Sequence, residues 1–216
     1  MANEQWDEPL DKDSELSENF IKWMQAKNNV INVNVKRHVY DGELQDKVTE
    51  VQLVGFCDAS PQAYAAVVYL RYFNKLTNKW KVTFMLAKAK VAPLNSEHSL
   101  PRLELLSAVK LVGLMVYVRK LLEAEDIRVR RKFYFTDSQV ALAWILKDPT
   151  TWKVFVANRV RYIQSHTSLH DWFYVDTKNN PADLATRFNA NNAWNKKLWW
   201  EGPEFLKREY GHWPKY

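Results

Sequence analysis

A chain of 216 residues, 47% of them hydrophobic, has room for one domain with extensions or for two small domains. Its formal charge of +6 and isoelectric point near 9.2 suit a polyanionic partner. Its single cysteine, Cys57, excludes an intramolecular disulfide and a Cys-rich zinc site. No apolar run is long enough to span a bilayer, and the acidic, polar start reads as lacking a secretory signal.

Residues 1 to about 13 are polar. Ser14 to Gln25 has the spacing of a short amphipathic helix, capped by Ser14 or Ser17, with Leu16, Phe20, Trp23 and Met24 on one face. Val30 to Tyr40 alternates and reads as extended, and Asp41-Gly42 signals a turn. Residues 1–47 are therefore expected to form a lead-in that packs on a domain spanning residues 48–190. Residues 191–216, with Trp194, Trp199, Trp200, Phe205 and Trp213, form a Trp-rich tail expected to fold back on that domain.

Val51 to Ala59, Ala63 to Tyr72 and Trp80 to Ala89 are strand-like runs with short connections, which predicts an antiparallel meander. Lys90 to Ser99 is a loop. Pro101 opens a long helix that is apolar almost all round, so it should be buried against a sheet. Lys132 to Thr136 is a fourth strand and Ser138 to Leu146 a helix stopped by Asp148-Pro149. Thr151 to Gln164 is a further helix, Trp172 to Val175 a fifth strand, and Pro181 to Arg187 a last short helix. The class is α/β, with a five-stranded mixed sheet of three antiparallel strands and two parallel additions, flanked by helices.

Four carboxylates sit at junctions of this pattern. Asp58 lies inside an apolar strand, where a carboxylate costs energy unless it is paired, hydrogen-bonded or metal-bound. Glu104 is in the first turn of the most apolar helix, Asp137 ends the fourth strand, and Asp183 is in the first turn of the final helix. Three of them have ordinary explanations. Glu104 and Asp183 suit a helix N-terminus through the backbone dipole, and Asp137-Ser138 suits a helix cap. Asp58 has no such explanation. If the first and fourth strands are parallel neighbours, with the long helix as their crossover, Asp58, Asp137 and Glu104 reach one place. Converging carboxylates without thiols or imidazoles match a pair of hard divalent cations, and two such cations suit phosphodiester hydrolysis. Cys57 precedes Asp58 in the strand, so its side chain should point to the other face, as a small buried group rather than a nucleophile.

The element order with Asp58, Glu104, Asp137 and Asp183 resembles the ribonuclease H fold and its four-carboxylate site. Thr136-Asp137-Ser138-Gln139 and Arg102-Leu103-Glu104-Leu105-Leu106 are similar to local motifs of that family. More narrowly, the chain resembles the ribonuclease H region of BEL/Pao-type LTR retrotransposon polyproteins, through Gly55 to Ser60, Ala63 to Tyr69, Leu86 to Pro93, Leu100 to Leu106, Phe155 to Arg159, Asn180 to Arg187 and Leu198 to Leu206. The resemblance implies an endonuclease that hydrolyses the RNA strand of RNA/DNA hybrids during reverse transcription, with two Mg²⁺ ions, or Mn²⁺ in their place, on Asp58, Glu104, Asp137 and Asp183. It also implies substrate contacts at Ser60, Arg102, Ser138, Gln139, Asn180 and Arg187. The implied setting is a polyprotein with a reverse transcriptase domain, in cytoplasmic virus-like particles or the nucleus, with no membrane partner. The chain departs from many cellular relatives: Leu100-Pro101 stands where an Asn pair is usual, leaving the backbone or Ser96 and His98 for RNA contact. No His lies in the loop before Asp183. Lys88, Lys90, Lys153 and Arg159 join Arg102 and Arg187 as candidate phosphate contacts. A catalytically silent connector of the same fold and a DNA-cutting relative are the competing expectations.

Overall fold

The computed structural model describes residues 11, 14–30, 48–93, 99–187 and 196–214. Its centre is a five-stranded sheet in the order β3-β2-β1-β4-β5, with β1 Val48–Ala59, β2 Ala63–Asn74, β3 Lys79–Val91, β4 Arg131–Thr136 and β5 Trp172–Tyr174. The pairs β1/β2 and β2/β3 are antiparallel, and β1/β4 and β4/β5 are parallel. This is the mixed sheet that the element order predicts. β1 starts three residues before its sequence-read start, β2 and β3 run two residues past their sequence-read ends and β4 starts one residue early, because pairing continues beyond the apolar centres, whereas β5 stops one residue short.

Strand alternation divides the core between two faces. Leu53 and Cys57 of β1, with Ala66, Val68 and Leu70 of β2, face α2 (Leu100–Ala124), which crosses over from β3 to β4. Pro101 stands in the first turn of α2, where a missing N–H costs nothing. Gly55 lets the helix approach: a Cβ there would lie 2.4 Å from Leu111 Cδ1. Beside α2 lie α3 (Gln139–Ile145) and α4 (Val154–His166), which add Ile145, Val160 and Ile163 to the same core. Each fully buried Leu or Phe of this kind contributes ~2 kcal/mol by leaving water.

The opposite face carries Val54, Phe56, Val67, Tyr69, Phe133 and Phe135, and the tail covers it. Phe56 stacks on Phe135 at 4.9 Å between centroids, and Trp213 packs on Phe133 at 4.8 Å. The tail's short helix α6 (Lys197–Glu201) buries Trp199 and ends at Gly202, whose φ of +66° turns the chain into Phe205 and Leu206. Two β2 side chains tie it down. The Tyr69 hydroxyl donates to the Trp199 carbonyl at 2.7 Å. Arg71, fully buried, donates through Nε to the Leu206 carbonyl at 2.6 Å and through its two terminal nitrogens to Gln52 Oε1 and the Arg208 carbonyl, each at 2.5 Å. Its guanidinium lies 3.4 Å from the centroid of the Trp80 ring.

Three elements differ from the sequence reading. The first helix, α1 (Glu15–Val30), continues past Gln25, and its N-terminus is held by Ser14 Oγ accepting from the Ser17 N–H at 3.1 Å. Its apolar residues Leu16, Phe20 and Trp23 are about half exposed. The segment expected to be one helix from Thr151 divides into a 3-10 turn at Pro149–Thr151 and α4 from Val154. Asp148 folds the turn by accepting from the Thr150 N–H at 2.8 Å. The last helix, α5 (Asp183–Thr186), starts after Pro181, because Asn180 Oδ1 accepts the Ala182 N–H at 3.1 Å. The expected extended run after Val30, the Asp41-Gly42 turn, Ser96, His98 and Trp194 lie outside the described residues. Among the described residues no helix is long and apolar enough to cross a membrane.

Candidate active site

Strands β1 and β4 run parallel with Cys57 opposite Thr136, so the next residue of each, Asp58 still within β1 and Asp137 just past β4, stands at the same edge. Adjacent strands lie ~4.8 Å apart, which sets the two carboxylates beside each other. Asp58 is buried. Burial, and then the charge of Asp137, raise its pKa from 3.8 to about 7, against a lowering by the Thr186 hydroxyl, which donates to Asp58 Oδ2. Burial also raises Asp137, and Asp183 adds to that, while hydrogen bonds from the Thr177 and Asn180 side chains pull the other way.

Glu104 reaches the edge from the first turn of α2. Its carboxyl is raised by burial and by Asp137, and the Ser138 hydroxyl donates to its Oε2. Asp183 comes from α5 and accepts from Arg187 Nε at 2.5 Å. The Asp137 charge acts on both Asp58 and Glu104, and the Asp183 charge acts on Asp58 and Asp137, so the four carboxyls lie within electrostatic reach along this edge. Among the described residues no three His, Cys, Asp or Glu side chains converge as a ligand set. As oriented, Asp58, Glu104 and Asp183 each hold a neighbouring donor. The donor chemistry fits a hard divalent cation: every group is a carboxylate, and like charges share one edge, Asp58 buried and the other three half-buried.

The other expected site residues divide in two. Ser60, Ser138 and Asn180 are buried and engaged in holding the edge together. Ser60 Oγ donates to the Thr186 carbonyl at 2.8 Å. Asn180 Nδ2 donates to the Cys57 carbonyl at 3.0 Å, which pins α5 to β1. Ser138 caps α3 by accepting the Ala141 N–H at 3.0 Å. Gln139 and Arg187 are exposed at the rim. Arg102 lies 5.1 Å from the centroid of the Phe155 ring, and Arg159 lies 3.5 Å from the same ring. Burial and the nearby Arg102 charge lower the Arg159 pKa.

Lys110 of α2, which the sequence did not single out, lies 5.2 Å from the Tyr64 ring. Burial and the charges of Lys88 and Lys90 lower its pKa. Tyr64 pairs with Lys90 across β2/β3 and with Ala59, the residue after Asp58, across β1/β2. Thr186 and Thr177 were also missed, since a hydroxyl carries no signal until the partner acid is in place. Cys57 faces α2, and burial pushes its thiol up to about 12, which makes it inert.

A model of the family described as Pao retrotransposon-like RNaseH-like domain matches residues 1–138. No curated protein sequence matches the chain. Among solved structures, the N-terminal RNase H domain of rv2228c from Mycobacterium tuberculosis is similar at 12% identity and a TM-score of 0.39, over 68% of this chain and 97% of that one. RNase H1 from Halobacterium salinarum NRC-1 is similar at 12% identity and a TM-score of 0.31, over 60% and 88%. A Ppx/GppA family member from Aquifex aeolicus is similar at 11% identity and a TM-score of 0.29, over 62% and 39%.

Proposed function

The chain belongs to the Pao retrotransposon-like RNaseH-like domain family, and from that premise we propose that it is a metal-dependent endonuclease that hydrolyses the RNA strand of RNA/DNA hybrids. The observation that carries this reading is the Asp58–Asp137 pair: two acids side by side where the parallel strands β1 and β4 end, Asp58 buried and raised to about 7, Asp137 half-buried. A fold that placed these acids for its own stability would give them cationic partners. Asp58, Glu104, Asp137 and Asp183 would hold two Mg²⁺ or Mn²⁺ ions, which when bound make an attacking water more basic and neutralise charge on the leaving oxygen.

The chain's own part is positioning. Thr186 orients Asp58, and Ser138 orients Glu104 while fixing α3. Asn180 and Ser60 lock α5 against β1, so Asp183 keeps its place at the edge. Lys88, Lys90, Lys110, Arg102 and Arg159 supply cations for the phosphates of a duplex lying across the edge. A hybrid is recognised by shape, 2′-hydroxyls and backbone, so cutting should show little sequence preference. The setting is that of a polyprotein, with a reverse transcriptase domain as the partner that presents the hybrid.

The test is cleavage of an end-labelled RNA/DNA hybrid in Mg²⁺ and in Mn²⁺, beside Asp137→Asn and RNA-only and DNA-only duplexes. The expected outcome is cutting of RNA in the hybrid alone, reduced on the order of 100-fold or more in the variant. Hybrid affinity should fall steeply with salt. The connector reading draws on one observation, the Arg187 side chain engaged on Asp183. Absence of both cutting and Mg²⁺ binding would favour it.

A further inference from the structure

The four acids of the edge have unequal partners. Asp58 and Glu104 accept from neutral hydroxyls, those of Thr186 and Ser138. Asp137 accepts from the side chains of Thr177 and Asn180. Among the described residues, Asp183 is the one of the four in an ion pair: Arg187 Nε donates to its Oδ1 at 2.5 Å. That hydrogen bond and the Asp183 charge raise the Arg187 pKa, and the charges of Asp58 and Asp137 add to the rise. The guanidinium thus faces the whole group of acids and not one carboxylate only.

The fold does not depend on this pair. α5 is four residues long, and other bonds set its place. Asn180 Nδ2 donates to the Cys57 carbonyl at 3.0 Å, Ser60 Oγ to the Thr186 carbonyl at 2.8 Å, and the Arg187 N–H to the Asp183 carbonyl at 3.3 Å. An ion pair four residues apart at a surface adds little to stability. The Arg187 side chain is 65% exposed and that of Asp183 is 19% exposed. The cation can swing into water while the acid keeps its position. A guanidinium and a divalent ion compete for the same carboxylate lone pairs, and the ion brings twice the charge.

We propose that Arg187 is a tethered stand-in for a divalent cation, holding Asp183 in the metal-free chain and yielding it when Mg²⁺ or Mn²⁺ binds. The inference rests on the nuclease reading and adds to it a threshold: the ion concentration that loads Asp183 is set by competition with Arg187. Because the guanidinium stays attached at the end of α5, it returns to Asp183 whenever the ion leaves. A silent connector would keep the same pair permanently, so exchange is what separates the two.

The experiment is titration calorimetry of the metal-free full chain with MgCl₂ and MnCl₂, comparing wild type with Arg187→Gln. NMR of the arginine Nε–H groups follows wild type over the same titration, with the Arg187 signal assigned by its loss in the variant. The variant is expected to bind the ions about threefold more tightly. In wild type, the Arg187 Nε–H is expected to be protected from solvent exchange without metal and to exchange freely at Mg²⁺ saturation. Binding by the variant with none by wild type would be the same result in stronger form. Equal affinities, or a Nε–H that stays protected at saturation, would overturn the proposal and leave the nuclease reading standing. If neither protein binds either ion, both fall. Should Arg187→Gln not fold, the exchange measurement on wild type decides, with the signal assigned by Arg187→Lys, which has no Nε–H.

Discussion

Arg71 and Asp58 are buried charges on one sheet, with the half-buried Asp137 beside Asp58 just past β4, and the fold treats the cation and the acids in opposite ways. Arg71 has its donors directed at two tail carbonyls and Gln52 Oε1, with Trp80 against its plane. Burial lowers its pKa to about 10, so it stays charged at neutral pH. Asp58 has a hydroxyl donor, yet its nearest charged neighbours are other acids, and it rises to about 7. A buried charge surrounded by complementary partners holds a structure together. Buried charges of one sign, grouped at an edge, store repulsion that a cation relieves.

The most severe way to break this comparison is Arg71→Leu. It would leave the Leu206 and Arg208 carbonyls and Gln52 without their donor, and should cost about 3–5 kcal/mol of stability. Urea unfolding measures it. An unchanged midpoint would mean that aromatic packing alone holds the tail.

Asp58→Asn should act in the opposite sense. Because the Asp58 pKa is higher in the fold than in the unfolded chain, the fold binds its proton more tightly. That contribution is fully present below pH 3.8 and is lost as pH rises through about 7. In EDTA, thermal stability should therefore decline across this window. Mg²⁺ should restore it at neutral pH, and Asp58→Asn should flatten the decline. A rise in stability with pH in EDTA would overturn the view of Asp58 as an unrelieved charge.

The smallest effect is expected from Thr186→Val, which removes a donor to Asp58 worth about 1 kcal/mol. Carboxyl titration by NMR should place Asp58 higher than in wild type. No change would mean that burial and Asp137 alone set it.

These contrasts were unevenly legible beforehand. Asp58 stood out because a carboxylate inside Val54 to Ala59 needs a reason. The β1/β4 adjacency entered the sequence reading as a condition, consistent with a long apolar helix as crossover, and the parallel pairing meets it. Arg71 gave no signal, because between Leu70 and Tyr72 it reads as an ordinary alternating polar residue. Its burial depends on Leu206 and Arg208, far along the chain. Ser60 and Asn180 were singled out for substrate, and the structure gives them a further part that the sequence did not show, joining α5 to β1 through backbone carbonyls. A carbonyl is present at every residue, so sequence cannot say which one a side chain will find. The same limit explains α4, whose start moved because the Asp148 side chain captured the following turn.

What the residues determined by themselves was the set of elements, through apolar periods of two and of three to four, and the presence of four acids at element ends. Only the tertiary structure decided which charges received partners. Arg71 met carbonyls from the tail, and the carboxylates met one another at the ends of β1 and β4. The physical reason is that a charge's burial and the sign of its neighbours depend on segments tens of residues away, brought together by packing and not by local order.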